Sequence, residues 1–196
     1  MDTSVADGGG EAAVDSATID VPDGGFPTPG RGDIVISEMM IDSDAIPDDF
    51  GEWFELHNPS TTQTYSLDGC SFFDDARATE MPVGVILLPG SYTSFAIGSA
   101  PGFTPDYVYT SGMKLSNDDP DSLTIRCGPT DVDVVAYEVT PTWPWAKGNS
   151  LSLDPASLDA GDNDLVTSWC AGSVEYNRGG GDIDYGTPGT ANPDCP

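Results

Sequence analysis

Eight short runs rich in β-branched and aromatic residues, DIVISEMMI, EWFELHN, GCSFF, GVILL, SYTSFAI, DYVYT, SLTIRC and DVVAYEV, are each cut off by Gly, Pro, Asn or Asp. That punctuation is the strongest constraint on the fold. A helix needs apolar positions every three or four residues over about ten residues or more, whereas a strand needs only about four to eight residues and a turn. No segment offers the helical spacing. Turn signals LPG, SAPG, SNDDPD and CGPT separate the runs at the interval expected of a β-sandwich or barrel. Beyond Tyr137 the texture loosens: PTWPW, NSLSL and VTSWC read as short strands, RGGGDIDYGTPGTANPDC as loop, and DPASLDAG has room for a single helical turn. The 23 Gly and 17 Pro agree with a turn-rich, all-β chain.

Residues 1–31 differ in kind. They hold Asp, Gly, Ala, Ser, Thr and Pro with scarcely a bulky apolar side chain, and they read as a disordered acidic tether ahead of one folded domain over 32–196. The N-terminal stretch has neither a basic start nor a hydrophobic core, so it does not read as a signal peptide. A spacer of this composition suits a lipid-anchored or wall-anchored exported protein, whose targeting segment would precede this sequence. No apolar run is long enough to span a bilayer. The tripeptide Arg31-Gly32-Asp33 spells an adhesion signal, but it is common in unrelated sequences.

The formal net charge is −27, from 33 acidic against six basic residues spread over the whole length. Nucleic-acid affinity comes mainly from Lys and Arg displacing counterions, so this surface excludes a direct nucleic-acid role and an anionic membrane alike. Divalent cations and basic partners are the natural ligands. Four cysteines, Cys70, Cys127, Cys170 and Cys195, are widely spaced and form no CxxC pair. An even count without metal-site spacing suggests two disulfides and an oxidising compartment; three connectivities are open.

Catalytic patterns are weak. A Ser-His-Asp arrangement must use His57, the only histidine, and no GxSxG elbow is present. Its expected role is that of a strand-end residue covering an aromatic neighbour or bonding a turn carbonyl. Glu52 with Glu55, or Glu38 with Glu55, has the composition of a glycosidase pair, but among 33 acids such proximity carries little information. RGGGD lacks the Lys and helix of a phosphate loop. Three acidic runs offer hard oxygens for calcium: Asp42, Asp44, Asp48 and Asp49 in IDSDAIPDD, and the more compact Asn117, Asp118, Asp119 and Asp121 in SNDDPD and Asp159, Asp162, Asn163 and Asp164 in LDAGDND. None follows the EF-hand spacing, and the competing reading is solvated acidic turns with local Asx bonding. Trp143 and Trp145 in PTWPW could form an aromatic platform for a carbohydrate, against the commoner role of loop packing.

The run GEWFELHNPS ties these threads together. Alternation puts Phe54 and Leu56 on one face and Trp53, Glu55 and His57 on the other, the first face for the core and the second partly wet. Asn58-Pro59 then ends the strand, since Pro cannot donate a ladder hydrogen bond. Taken in order, ISEMM, GEWFELHNPS, SLDGCSF, LPGSY, LSNDDPDSLTIRCG, VVAYE, GNSLSLDP and GTPGTAN resemble a bacterial lamin-tail domain over about residues 33–192.

That resemblance implies an immunoglobulin-like β-sandwich of the exported bacterial branch, and it carries no enzyme activity with it. Within such a sandwich Cys70 is expected to pair with Cys127, and Cys170 with Cys195. The implied function is a non-catalytic surface or periplasmic module, binding a protein or carbohydrate partner at the cell surface, with Glu55, His57, Trp143 and Trp145 as candidate contacts. Alternatives are a calcium-dependent secreted hydrolase, or a subunit that self-associates into a cell-surface structure through an exposed edge strand.

Overall fold

Each of the eight runs holds a strand. The computed structural model describes residues 21–109, 112–139 and 142–196; the first twenty residues of the expected tether lie outside them. The chain passes through β1 (Val35–Met40), a helical turn α1 (Asp48–Gly51), β2 (Trp53–His57), β3 (Tyr65–Ser66), β4 (Cys70–Phe73) and β5 (Ala78–Glu80). It continues through β6 (Ile86–Leu87), β7 (Tyr92–Ala96), β8 (Tyr107–Val108), β9 (Asp121–Cys127) and β10 (Thr130–Tyr137). The last part contains β11 (Leu151–Leu153), short 3-10 turns at Pro155–Ser157 and Val166–Ser168, β12 (Trp169–Ala171), β13 (Glu175–Gly179) and β14 (Asp182–Tyr185).

A six-stranded sheet in the order β12-β11-β1-β2-β7-β8 packs over a four-stranded one in the order β10-β9-β4-β5, giving an all-β sandwich. Phe54, Leu56, Phe95 and Leu151 from the first sheet meet Phe72, Leu123, Ile125 and Val135 from the second in one buried core. Phe54 stacks on Phe95 with ring centroids 5.0 Å apart, and tilts against Phe72 at 5.1 Å. A bulge between Ile36 and Glu38 lets β1 change phase, so that Ile36 and Met39 both reach this core although they lie three residues apart. After the bulge Glu38 faces outward, directly opposite Glu55.

The outer face of β2 is not wet. Trp53 and Glu55 are wholly buried and His57 is 7% exposed. The segments after residue 172 and the β7–β8 connection fold over that face, which is the physical reason the expectation fails: Tyr176 from the first and Phe103 from the second close edge-on around Trp53, and the 186–192 stretch lies over Glu55. The stretch read as loop around RGGGDIDYG is instead the hairpin β13–β14. Gly180 (φ 64°) and Gly181 (φ 112°) make its tight reversal, a conformation that disfavours any residue with a Cβ.

The strand end at Asn58 is tightly built. Its side-chain amide donates to the carbonyls of Gln63 (2.8 Å) and Leu87 (3.1 Å), while its Oδ1 accepts from Ser60 N. The helical turn foreseen in DPASLDAG is Pro155–Ser157, capped by Asp154 accepting from Ala156 N at 2.8 Å. The folded part takes in the end of the tether, since Pro27 O accepts from Ser66 N and Val132 O from Gly32 N.

Two disulfides staple the sandwich, Cys70–Cys127 and Cys170–Cys195, in the pairing expected. The first joins directly opposed residues of β4 and β9 within one sheet. The second ties β12 to the C-terminal tail. Their sequence separations are 57 and 25 residues. In the chain-entropy model they contribute about 4 and about 3.5 kcal/mol. Replacing Cys70 and Cys127 by Ala should therefore lower the urea unfolding free energy by about 4 kcal/mol, slightly more than the Cys170/Cys195 pair. Equilibrium unfolding followed by Trp fluorescence checks both.

Candidate functional site

The strand register sets a transverse polar row across the outer face of the large sheet: Ser152 opposite Glu38, Glu38 opposite Glu55, and Glu55 opposite Ser94. Two carboxyls side by side away from water would repel each other and demand donors, and the surrounding chain supplies them. Glu38 Oε1 accepts from Ser150 Oγ (2.5 Å) and Ser152 Oγ (2.8 Å), and the Thr187 amide lies 3.1 Å from both of its oxygens. Glu55 accepts from Ser37 Oγ and from the Gly189 amide, each at 2.7 Å. The closing motif GTPGTAN is thus bolted to the sheet through these two acids.

The motif's local chemistry prepares it for that role. Thr190 N donates to Thr187 O at 3.0 Å across Pro188-Gly189, with Gly189 at φ 82°, the turn that Pro-Gly favours. The reversal aims the Thr187 and Gly189 amides at the two carboxyls. Asn192 completes the clamp, its amide donating to Ser37 O (2.8 Å) and Leu153 O (2.9 Å) on two different strands. Gly186 sits where a Cβ would meet Glu38 Oε1, Ser150 Oγ and Trp53, each at 3.0 Å.

Burial, the largest cause, raises the Glu38 carboxyl to about 7, opposed by its serine and threonine donors. Burial and then the neighbouring Glu38 charge hold Glu55 well above the ordinary carboxylate range. Both carboxyls of the pair are therefore held toward their protonated forms. His57 behaves as expected of a strand-end histidine. It stacks on Tyr92 with ring centroids 4.1 Å apart, and its Nδ1 lies 3.1 Å from the Ser91 carbonyl, which can only accept, so the ring carries its proton there. Burial lowers its basicity. Glu55 is spent on internal bonding beneath the 186–192 stretch, and His57 on Tyr92 and the Ser91 carbonyl. Trp143 and Trp145 are half-buried and rest on the core, Trp143 facing Trp169 and Trp145 Nε1 donating to Glu138 O at 3.3 Å.

A second feature opens at one end of the sandwich. An open cleft of about 650 Å³ lies between α1, the β4–β5 turn and the 114–121 loop. It is lined by seven carboxyl groups, Asp49, Asp74 and Asp119 among them, against only Arg77 and Lys114. Glu52 is 2% exposed and receives the Leu115 amide at 2.9 Å, which ties the loop to β2. Burial first, then the charges of Asp48 and Asp49, push its carboxyl to about 8.

The expected calcium runs are dispersed. Asp121 is buried and accepts from the amides of Asp75, Ser116 and Ser122, while Asn117 donates to Asp48 Oδ2 and Asp118 and Asp119 are exposed. In LDAGDND Asp159 accepts from Gly161 N, and Asp162 and Asp164 face solvent. Asn163 turns inward, donating to Asp133 Oδ2 at 2.7 Å. Asp133 in turn accepts from Ile36 N at 2.6 Å, and burial raises it to about 6. Among the described residues no three His, Cys, Asp or Glu side chains gather as a metal site. Arg31-Gly32-Asp33 lies against the domain, with the Asp33 carboxylate accepting from Gly30 N at 2.8 Å and Gly32 N bonded to Val132 O.

No family model matches the chain, and neither a curated protein nor a solved structure does.

Two expected outcomes follow from this geometry. Asp133, Glu38 and Glu52 have folded-state values above those of the unfolded chain, so their contribution is full below about pH 4 and is lost as pH rises through about 6, 7 and 8 in turn; Glu55 is raised in the same direction and adds to the loss. Stability should fall from pH 5 to pH 9, by roughly 1.4 kcal/mol per pH unit for each group that is ionised in the unfolded chain while its folded form keeps the proton, and Glu52→Gln should flatten the alkaline part of the profile. Thermal melts across that range test this, and a profile that rises with pH would refute it. Asn192→Ala should cost about 1–3 kcal/mol by stranding two buried carbonyls, read as a lowered urea midpoint.

Proposed function

We propose that the chain is a non-catalytic binding or structural module of lamin-tail type, working at a cell surface or in the periplasm after export. One observation carries this reading. The residues that made separate motifs resemble a lamin tail, Glu38 of ISEMM, Glu55 of GEWFELHNPS, Ser150 and Ser152 of GNSLSLDP, and Thr187, Gly189 and Asn192 of GTPGTAN, meet in a single bonded cluster. Two disulfides favour an oxidising compartment over the cytoplasm.

The same cluster speaks for a structural rather than a catalytic role. Glu38 and Glu55 are fully buried, and internal donors already occupy their oxygens, so a glycosidic oxygen has no approach to either. What such a module presents to a partner is its surface: the acidic cleft, the loops and the half-buried tryptophans.

The test has two arms. The intact chain, offered chromogenic glycosides, esters and phosphodiesters with and without calcium, should give only the buffer background. A rate that disappears in Glu55→Gln would replace the module by a hydrolase. The chain directed to an oxidising periplasm should be recovered without titratable thiols, and production in a reducing cytoplasm should yield a less stable protein. Equal stability from both compartments would argue against export.

A further inference from the structure

Beside the acidic cleft runs a groove of about 590 Å³, and the two share Asp49, Arg77 and Lys114, so they form one continuous surface. The groove is apolar where the cleft is charged. Phe50 is 59% exposed and faces it together with Val108, 36% exposed, and Ile97. Exposed single apolar side chains need no explanation, but Phe50, Val108 and Ile97 are gathered along one groove, the kind of contiguous apolar surface that marks an interaction site. The backbone that carries Phe50 is fixed. Its amide donates to Pro47 O at 2.8 Å, and Gly98 lets the backbone of Phe50 approach so closely that an added Cβ would lie 3.0 Å from the Phe50 carbonyl. Gly51 likewise admits no side chain, since a Cβ there would lie 2.6 Å from that of Ser43. The ring is therefore projected by a fixed turn.

Electrostatics select what can cover it. Both cations on this surface are engaged, Lys114 in an ion pair with Asp49 and Arg77 with the Gly112 carbonyl at 3.2 Å. Asp119 and the other carboxylates of the adjoining cleft then set a negative field beside the apolar floor. An acidic segment is repelled, and a neutral sugar polymer leaves that field unanswered. A second copy of this chain, itself at −27, is disfavoured for the same reason. Val108 lies on β8, the last strand of the six-stranded sheet, so an extended chain can run along the groove beside a sheet edge.

We infer that this surface docks an extended, Lys- or Arg-bearing segment of another protein, with an apolar side chain of that segment seated against Phe50 and Val108 and its cations over Asp119 and the cleft. The inference rests on the binding-module reading and supplies the chemistry of its partner. Its failure leaves the export and activity tests above untouched.

Fluorescence anisotropy with a labelled peptide of alternating Lys and Leu tests it, with an alternating Glu-Leu peptide and an oligolysine as comparisons. The Lys-Leu peptide should bind the intact chain, weaken as salt rises, and lose about tenfold in affinity with Phe50→Ser. Asp119→Lys should weaken it by about three- to tenfold, while oligolysine should bind wild type and Phe50→Ser equally. Phe50 is exposed, so its replacement leaves the fold intact, and unchanged thermal melts verify that. Equal affinity of Phe50→Ser and wild type for the Lys-Leu peptide would overturn the proposal. So would binding of the Glu-Leu peptide with similar strength, or sedimentation showing Phe50-dependent self-association.

Discussion

Two glutamates facing each other across adjacent strands, sealed from water, are the constraint around which the rest of this sandwich is arranged. A buried carboxyl without donors is costly by several kcal/mol, and a charged pair costs more. The fold meets that demand with Ser37, Ser150 and Ser152 from the sheet and with the Thr187 and Gly189 amides from the closing turn. The donors come from three separate parts of the sequence, at Ser37, at Ser150 and Ser152, and at Thr187 and Gly189, so the pair cannot be satisfied until the C-terminal segment has docked. Docking of the tail and burial of the acids are one event. Cys170–Cys195 then limits how far the tail can depart.

Much of this was legible because it depends on local rules. The eight strand runs follow from β-branched and aromatic enrichment between turn residues, and β2 ends at Asn58-Pro59 for reasons internal to those two residues. The turn at Pro188-Gly189 and the capped turn at Pro155 belong to the same class. What escaped depended on which distant segment covers which face. Alternation divided EWFELHN correctly into two faces, but no local feature of the sequence says that residues 176–190 will lie over the second one. Glu55 therefore read as partly wet when it is interior. The β13–β14 hairpin was hidden because its strands, EYNRG and DIDY, carry few apolar residues and lean on their neighbours rather than forming a core.

The candidate site divides along the same line. Asn163 belongs by composition to an acidic turn, yet it faces inward to brace Asp133, a role set by the position of β1. Phe50 gave no signal in sequence, since one aromatic in IPDDFGEW is indistinguishable from a core residue. In the fold its ring is exposed, on a turn closely packed at Gly51 and Gly98. Signals for both existed in principle: an amide flanked by acids, and a glycine directly after an aromatic. Neither is specific enough to be read without the fold.

The charge of the chain acquires two meanings once its acids are sorted by environment. Buried carboxyls act as acceptors for amides and hydroxyls, and burial holds several of them near or above neutrality, so they contribute less negative charge than their number suggests. Exposed ones keep their charge and set the external field. Glu52 stands at the boundary, buried yet lining the acidic cleft, and its ionisation is opposed by burial and by the charges of Asp48 and Asp49. A cation brought to that cleft favours the ionised form of Glu52, and by reciprocity ionised Glu52 favours the cation. Basic-partner docking and the alkaline loss of stability are therefore linked through one side chain, with occupancy of the cleft offsetting part of the cost that rising pH imposes on the free protein.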